Sequence, residues 1–102
     1  MNQKDFLNKI KNKVLKEDKN ASLILFGLRA RGDYKDDSDW DVLIITDKEA
    51  NAGLKRKIYE DLYDVELEYM QPISTIIFGK EKWKSMSITP LYKNVAAEGK
   101  FL

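Results

Sequence analysis

Residues 25–45 read LFGLRARGDYKDDSDWDVLII, and this stretch decides the fold of the chain. Two apolar runs, at 23–26 and 40–46, have the length and composition of buried strands. Gly27 ends the first run, and residues 28–32 predict a short helix or turn. We therefore expect a strand–turn–strand unit in which the turn faces a group of acids across a cleft.

Two of these acids, Asp39 and Asp41, are two residues apart at the start of the second predicted strand. Alternate residues of a strand share one face, so these positions are separated by about 6.6 Å on it. Two carboxylates held that way repel each other unless a cation lies between them. Magnesium fits such a pair best, because it binds one or two carboxylates together with substrate phosphate oxygens. Ordinary solvated acids at a strand end are the alternative.

The turn before these acids has features of a phosphate-binding loop. A glycine at position 27, between a strand and a helix start, lets the backbone approach a phosphate, and helix-start amides point towards it. Arg29 and Arg31 add fixed positive charge, and Gly32 permits a backbone angle that other residues avoid. A turn that binds nothing is the alternative.

Outside this unit the sequence predicts four more helices and two more strands. The helices follow from apolar residues at helical spacing and from capping residues such as Asp47 and Thr89. One strand follows from the alternation in DVELEYM, 64–70, and the other from the next apolar run. We expect one domain over residues 1–102, with an α/β (α+β) fold, a small mixed β-sheet and helices packed mainly on one face. The predicted helices are 3–16, 48–62, 80–86 and 90–98, and the predicted strands are 64–70 and 73–78.

Composition excludes several classes of site. The 102-residue chain has no Cys and no His, which excludes disulfides, Ser-His-Asp triads and typical zinc sites. A net charge of +1 gives no indication of general nucleic-acid binding. No apolar run is long enough to span a membrane, and no secretion signal is recognisable at the start of the sequence. We expect a cytoplasmic protein without membrane contact.

The order of these motifs resembles that of the minimal nucleotidyltransferases of the DNA polymerase β superfamily. Those proteins have a strand, then G-S-x-A-R-G, then S-D-x-D on the next strand. The corresponding residues here are FGLRARG, 26–32, and SDWD, 38–41, and the closing TPLYKNVAAEG, 89–99, is also similar. The resemblance implies a polymerase β-like nucleotidyltransferase fold, a nucleoside triphosphate substrate, usually ATP, and two magnesium ions.

The resemblance also implies roles for individual residues. Asp39 and Asp41 would be catalytic and would hold the metals, with a third carboxylate on a later strand. Glu66, in V-E-L, occupies the place of the family's V-D-L, and Glu68 is the second candidate. Ordinary surface acids are the alternative for this segment. The residues expected to bind the triphosphate are Gly27, Leu28, Arg29, Arg31, Gly32 and Ser38.

Leu28 departs from the family pattern, because it stands where the family has serine. A serine hydroxyl can donate to a phosphate oxygen and leucine cannot. Such a loss costs about 1.5–3 kcal/mol, although the backbone amides of the turn remain. Two functions stay open: transfer of AMP from ATP to an acceptor hydroxyl, or a weak or inactive nucleotide-binding module that neutralises or scaffolds a partner.

The chain is too short to contain a separate acceptor-binding domain, so the acceptor is expected to be another protein. The resemblance implies a HEPN-type toxin as partner, with this chain as its antitoxin, in a homo- or hetero-oligomer. Packing in the core is the favoured alternative for the residues that could form the contact, namely Trp83, Ile88, Leu91 and Tyr92.

Overall fold

The structure, a computed structural model, describes residues 1–102 and contains five helices and four strands. None of the helices is long and apolar enough to cross a membrane. The helices are α1 (Gln3–Glu17), α2 (Gly27–Arg31), α3 (Ala52–Tyr69), α4 (Lys80–Lys84) and α5 (Pro90–Glu98), and the strands are β1 (Ser22–Phe26), β2 (Trp40–Thr46), β3 (Ile73–Gly79) and β4 (Lys100–Phe101).

The four strands form one mixed sheet in the order β3-β2-β1-β4. β1 is antiparallel to β2 and β4, whereas β2 and β3 are parallel and need the crossover that α3 supplies. Asp41 of β2 pairs with Phe26 of β1 on one side and with Ser74 of β3 on the other. The end of β1 and the starts of β2 and β3 therefore meet at one end of the sheet.

Helices pack on both faces of the sheet, and the larger core lies on one of them. α1 and α3 cover a cluster of 13 buried residues, in which the rings of Phe6 and Trp40 are 5.1 Å apart. α4 and α5 cover a cluster of three buried residues on the other face, which includes Leu43 and Val95. The two faces separate because alternate residues of each strand point to opposite sides. The predicted α/β fold class with a small mixed sheet is confirmed, although the helices cover both faces of the sheet and not mainly one.

The strand predicted at 64–70 is wrong, because this segment is the second half of α3. Leu62 and Val65 are both buried at helical spacing, and Tyr69 continues their stripe with its ring 5.3 Å from that of Phe6. The apolar residues of this segment fit both the two-residue period of a strand and the 3.6-residue period of a helix. Packing against α1 favours the helix.

The start of α3 also differs from the prediction. The helix begins at Ala52, and the side chain of Asn51 caps it by accepting the amide of Leu54 at 2.9 Å. The prediction of Asp47 as the capping residue is therefore wrong, and Asp47 forms a salt bridge with Lys80 instead. The short strand β4, which pairs with β1 at two positions, was not predicted.

Candidate functional site

Gly27 and Asp41 lie in contact where β1 ends and β2 begins. Gly27 has a φ of 72°, a conformation that favours glycine. A Cβ at this position would also collide with the carboxylate of Asp41. The glycine is thus needed twice, for the backbone angle and for the close approach of the acid. The structure brings the predicted turn and one predicted acid together.

The charged form of Asp41 is unfavourable in its surroundings. Burial raises the pKa of Asp41, and the neighbouring charge of Asp39 raises it further. The hydroxyl of Ser74 and the guanidinium of Arg31 act in the opposite direction without cancelling the shift. A cation between Asp39 and Asp41 would relieve this repulsion, and a donor set of oxygens alone suits magnesium. The pair therefore fits the ion that the sequence predicts.

The structure does not bring Glu66 to this acid pair. Glu66 lies on α3, which packs on the other face of the sheet from Asp41, and its Oε1 accepts the amide of Ile73 at 2.6 Å. Glu68, the second candidate, lies on the same helix and has a Lys9 nitrogen 3.9 Å from its Oε1. No group of three or more acids lies close enough together to hold a metal ion.

The residue opposite Asp41 on β3 is Ser74, and β3 contains no acid. Along β3, Ile73 and Ile77 face the larger core, whereas Ile76 and Phe78 face the smaller one. Because alternate residues share a face, Ser74 points to the side of the smaller core, as Asp41 does. The site therefore offers two carboxylates and a serine hydroxyl, where the sequence predicted three carboxylates.

Arg29 and Ser38, both predicted to bind the nucleotide, hold the loop between α2 and β2. The Arg29 side chain is buried, and its Nε and Nη2 donate to the carbonyl oxygen of Ser38 at 3.3 and 3.1 Å. Its guanidinium lies 4.3 Å from the ring centroids of both Tyr34 and Trp40. The Ser38 hydroxyl accepts a backbone amide of the same loop at 2.9 Å. Their contacts fix the segment that leads into Asp39.

Arg31 is paired with Glu98, a residue from the far end of the chain. Its Nη1 donates to Oε1 and Oε2 of Glu98 at 3.1 and 3.0 Å, and the amide of Gly27 donates to the same Oε1 at 3.2 Å. The hydrogen bond from Arg31 lowers the pKa of Glu98, and the Gly27 amide acts in the same direction. Because 71 residues separate Gly27 from Glu98, no local sequence pattern marks this contact.

The remaining residues of the predicted turn take two different positions. Gly32 has a φ of 85° and ends α2, with its amide donating to the carbonyl oxygen of Leu28 at 3.0 Å, so its special backbone angle is confirmed. The side chain of Leu28 is 41% exposed and offers no hydrogen-bonding group. The turn therefore relies on its backbone and on Arg31 for polar contacts.

The residues considered for partner contact are mostly packed within the protein. The Trp83 ring stacks on Tyr92 at 4.8 Å and on Phe78 at 6.0 Å, and Leu91 packs against the smaller core. Core packing thus accounts for three of the four. Ile88 is the exception, because it is 83% exposed.

The mixed sheet and the contact of Asp41 with the glycine turn agree with the nucleotidyltransferase class, and comparison with known proteins shows the family. The model of the family described as "Nucleotidyltransferase domain" matches residues 7–100. The chain belongs to this family. The resemblance that its motifs show to nucleotidyltransferases is therefore confirmed.

Two relatives come from Methanocaldococcus jannaschii. "Putative protein adenylyltransferase MJ0604" is 31% identical over 99 residues, which cover 97% of this chain and 92% of the relative. The similarly named MJ0141 is 42% identical over 64 residues, which cover 63% of this chain and 65% of the relative.

Two solved structures share the fold. A toxin–antitoxin crystal structure with AMP-PNP has a TM-score of 0.65 at 16% identity, over 99% of this chain and 72% of that one. A mutant of the toxin–antitoxin MntA-HpeT has a TM-score of 0.59 at 15% identity, over 100% of this chain and 71% of that one. At these identities the likeness establishes the fold alone.

Proposed function

We propose that this protein transfers AMP from ATP to a hydroxyl group of a partner protein. The observation that carries the proposal is the contact between Gly27 and Asp41, which places a strand-borne carboxylate against the turn of the family motif. Membership of the nucleotidyltransferase family supports the reaction class. The names of the two archaeal relatives support ATP as the nucleotide and a protein as the acceptor.

In this proposal Asp39 and Asp41 hold magnesium. The ion, when bound, neutralises charge on the triphosphate and on the groups that react. Two carboxylates and the Ser74 hydroxyl provide less negative charge and fewer ligand oxygens than three carboxylates would. A second ion, which the family resemblance implies, would therefore depend more on the phosphate oxygens of the nucleotide.

The chain's own groups orient the nucleotide. The amide of Gly27 and the guanidinium of Arg31 are donors at the turn, and both suit phosphate oxygens. The acceptor hydroxyl oxygen forms a bond to the α-phosphorus and loses its proton to water, while the bond to the leaving pyrophosphate breaks. No side chain of the site forms a covalent bond in this reaction, so positioning and charge supply the rate.

The proposed acceptor is a HEPN-type toxin, for which this chain would act as antitoxin. The two solved structures described above are toxin–antitoxin structures, and one of them was crystallised with AMP-PNP. A cytoplasmic location is part of the same proposal.

A nucleotide-binding module that neutralises its partner by occlusion is the second candidate. Two observations favour it: Leu28 replaces the family serine, and Ser74 lies opposite Asp41 where a third carboxylate would complete the site. In this case the acid pair would serve nucleotide binding without transfer.

Labelling with ATP that carries a radioactive α-phosphate distinguishes the two candidates. The wild type is incubated with magnesium and a lysate of its native host, beside the double variant Asp39→Asn/Asp41→Asn. Asp47→Asn is the matched control, because it removes a surface carboxylate from the other end of β2. Transfer predicts a labelled protein with the wild type and the control, and none with the double variant. No label from any nucleotide, with folded protein that still binds its partner, would leave only the binding module.

A further inference from the structure

Glu98 accepts hydrogen bonds from the same donors of the turn that the proposed function assigns to a phosphate group. Its carboxylate accepts the Gly27 amide and both hydrogen bonds from Nη1 of Arg31, at 3.0–3.2 Å. A carboxylate and a phosphate are both anionic acceptors that suit an arginine and a backbone amide. One amide hydrogen and one guanidinium nitrogen cannot serve both at full strength. The two anions must therefore compete.

The carboxylate is brought to the turn by the end of α5. The amide of Gly99 closes this helix on the carbonyl oxygen of Val95 at 2.8 Å, and the next two residues form β4 along the edge of β1. The backbone at Glu98 is thus fixed, while its side chain is 20% exposed and reaches the turn through rotatable bonds. Displacement of the carboxylate from the turn would therefore require a change of the Glu98 side chain and no change of the backbone.

The charges around the turn make this competition unfavourable for a nucleotide. The carboxylates of Asp39 and Glu98 both lie close enough to that of Asp41 to repel it. Arg31 is the cation paired with Glu98. Magnesium can offset the negative charge of Asp39 and Asp41. Glu98 still places a carboxylate at the donors that a phosphate group would use.

We propose that Glu98 is an internal competitor that sets nucleotide affinity, and that the phosphate groups of a nucleotide bind the turn by displacing its carboxylate from Gly27 and Arg31. This inference rests on the proposed function, because it assigns the nucleotide phosphates to the same turn. It adds a residue that belongs to none of the family motifs in the sequence.

The test measures binding of Mg·ATP, magnesium tripolyphosphate and adenosine to the wild type and to Glu98→Gln by calorimetry. The amide keeps the size of the side chain and removes its charge. We expect roughly tenfold tighter binding of Mg·ATP and of tripolyphosphate by Glu98→Gln, since a charged competitor is lost. Adenosine, which has no phosphate, is expected to bind both proteins equally. Asp47→Asn controls for the change in net charge and is expected to bind like the wild type.

Glu98→Asp keeps the inference testable if Glu98→Gln folds poorly. It retains the charge but is one methylene shorter, so it holds the two donors less well and is expected to bind tripolyphosphate more tightly than the wild type. Thermal melting of each variant checks that it is folded.

The outcomes separate the inference from the proposed function. Equal or weaker binding by both Glu98 variants, with a wild type that binds Mg·ATP, would overturn the inference and leave Glu98 as a residue that orients Arg31. A wild type and variants that all fail to bind Mg·ATP would overturn the proposed function, and the inference with it.

Discussion

Acidic side chains lie against backbone at both ends of β2, and their surroundings differ. Asp18, which is 2% exposed, accepts the amides of Asp47 and Lys48 at 2.8 and 3.0 Å where the strand ends. It also accepts the amide of Asn20 at 3.1 Å. Each oxygen of this carboxylate accepts at least one backbone amide hydrogen bond, so the protein itself supplies the hydrogen bonds that the buried carboxylate needs.

Asp41, at the start of the same strand, has no comparable set of donors. Its carboxylate lies against Gly27, and burial together with the charge of Asp39 raises its pKa. The carboxylate of Asp18 thus has amide donors for both of its oxygens, whereas the carboxylate of Asp41 does not. The difference supports a role for Asp18 in stability, and it supports the proposal that Asp41 binds a cation from outside the chain.

The largest expected effect is on catalysis. Asp41→Asn is expected to lower the rate of AMP transfer about a thousandfold, because metal-mediated charge stabilisation contributes several kcal/mol. Asp18→Asn, if it remains folded, is expected to transfer at nearly the wild-type rate. Single-turnover rates of acceptor labelling measure both. Equal losses in the two variants would remove the functional distinction between the ends of β2.

Stability should show the reverse pattern. Asp18→Ala leaves three amides without their acceptor, so the free energy of unfolding is expected to fall by about 2–4 kcal/mol. Asp41→Asn removes an uncompensated charge and is expected to leave the free energy of unfolding unchanged or slightly raised. Urea titrations at pH 7 measure both. A loss at Asp41 as large as that at Asp18 would show that Asp41 is a structural acid.

Glu98 is an acid whose charge is compensated by a side chain, and this makes its contribution pH-dependent. The hydrogen bond from Arg31 lowers its pKa in the folded protein, whereas an unfolded glutamate has a pKa of about 4.3. Its stabilising effect is therefore fully present above about pH 4.3 and is lost as the pH falls through the folded pKa.

We accordingly expect Glu98→Gln to have a lower Tm than the wild type at pH 6, with a difference that shrinks as the pH falls below about 4. Thermal melts between pH 3 and pH 7 measure this. A difference that stays constant over the whole range would contradict an origin in the ion pair with Arg31.

The smallest expected effect is at Glu66. Glu66→Gln keeps an oxygen that can accept the amide of Ile73, so both the Tm and the rate of transfer are expected to stay close to those of the wild type. Labelling assays and thermal melts measure these quantities. Loss of transfer with an unchanged Tm would restore Glu66 to the catalytic role that the sequence predicts.

The parts of the molecule that were predictable have a local signature. The strand–turn–strand unit at 25–45 combines apolar runs, glycines and acids within a short stretch, and each feature marks an element directly. Gly32 adopts the positive φ that the sequence predicts for it, and Gly27 adopts a positive φ as well. The contact of the turn with Asp41 follows because two neighbouring strands join there.

The parts that were not predictable depend on tertiary contacts. DVELEYM alternates like a strand, but the segment is helical because Val65 and the partly buried Tyr69 pack in the core that α1 and α3 share. Glu66 therefore lies on the other face of the sheet from Asp41. The pairing of Glu98 with the turn joins residues from distant parts of the chain. Arg29 occupies a position in the turn that predicts a phosphate ligand. Its guanidinium instead donates hydrogen bonds to the carbonyl oxygen of Ser38 and stabilises the loop.

Paramagnetic Mn²⁺, used as a probe for the magnesium site, tests most directly whether the acid pair binds a cation. In ¹⁵N-labelled protein with ATP, we expect Mn²⁺ to broaden the amide signals of Gly27, Asp41 and Ser74 before those of Asp47 and Lys48. The broadening should disappear in Asp39→Asn/Asp41→Asn. Broadening at Asp47 and Lys48 first, or equal broadening in the double variant, would contradict a cation site at the start of β2.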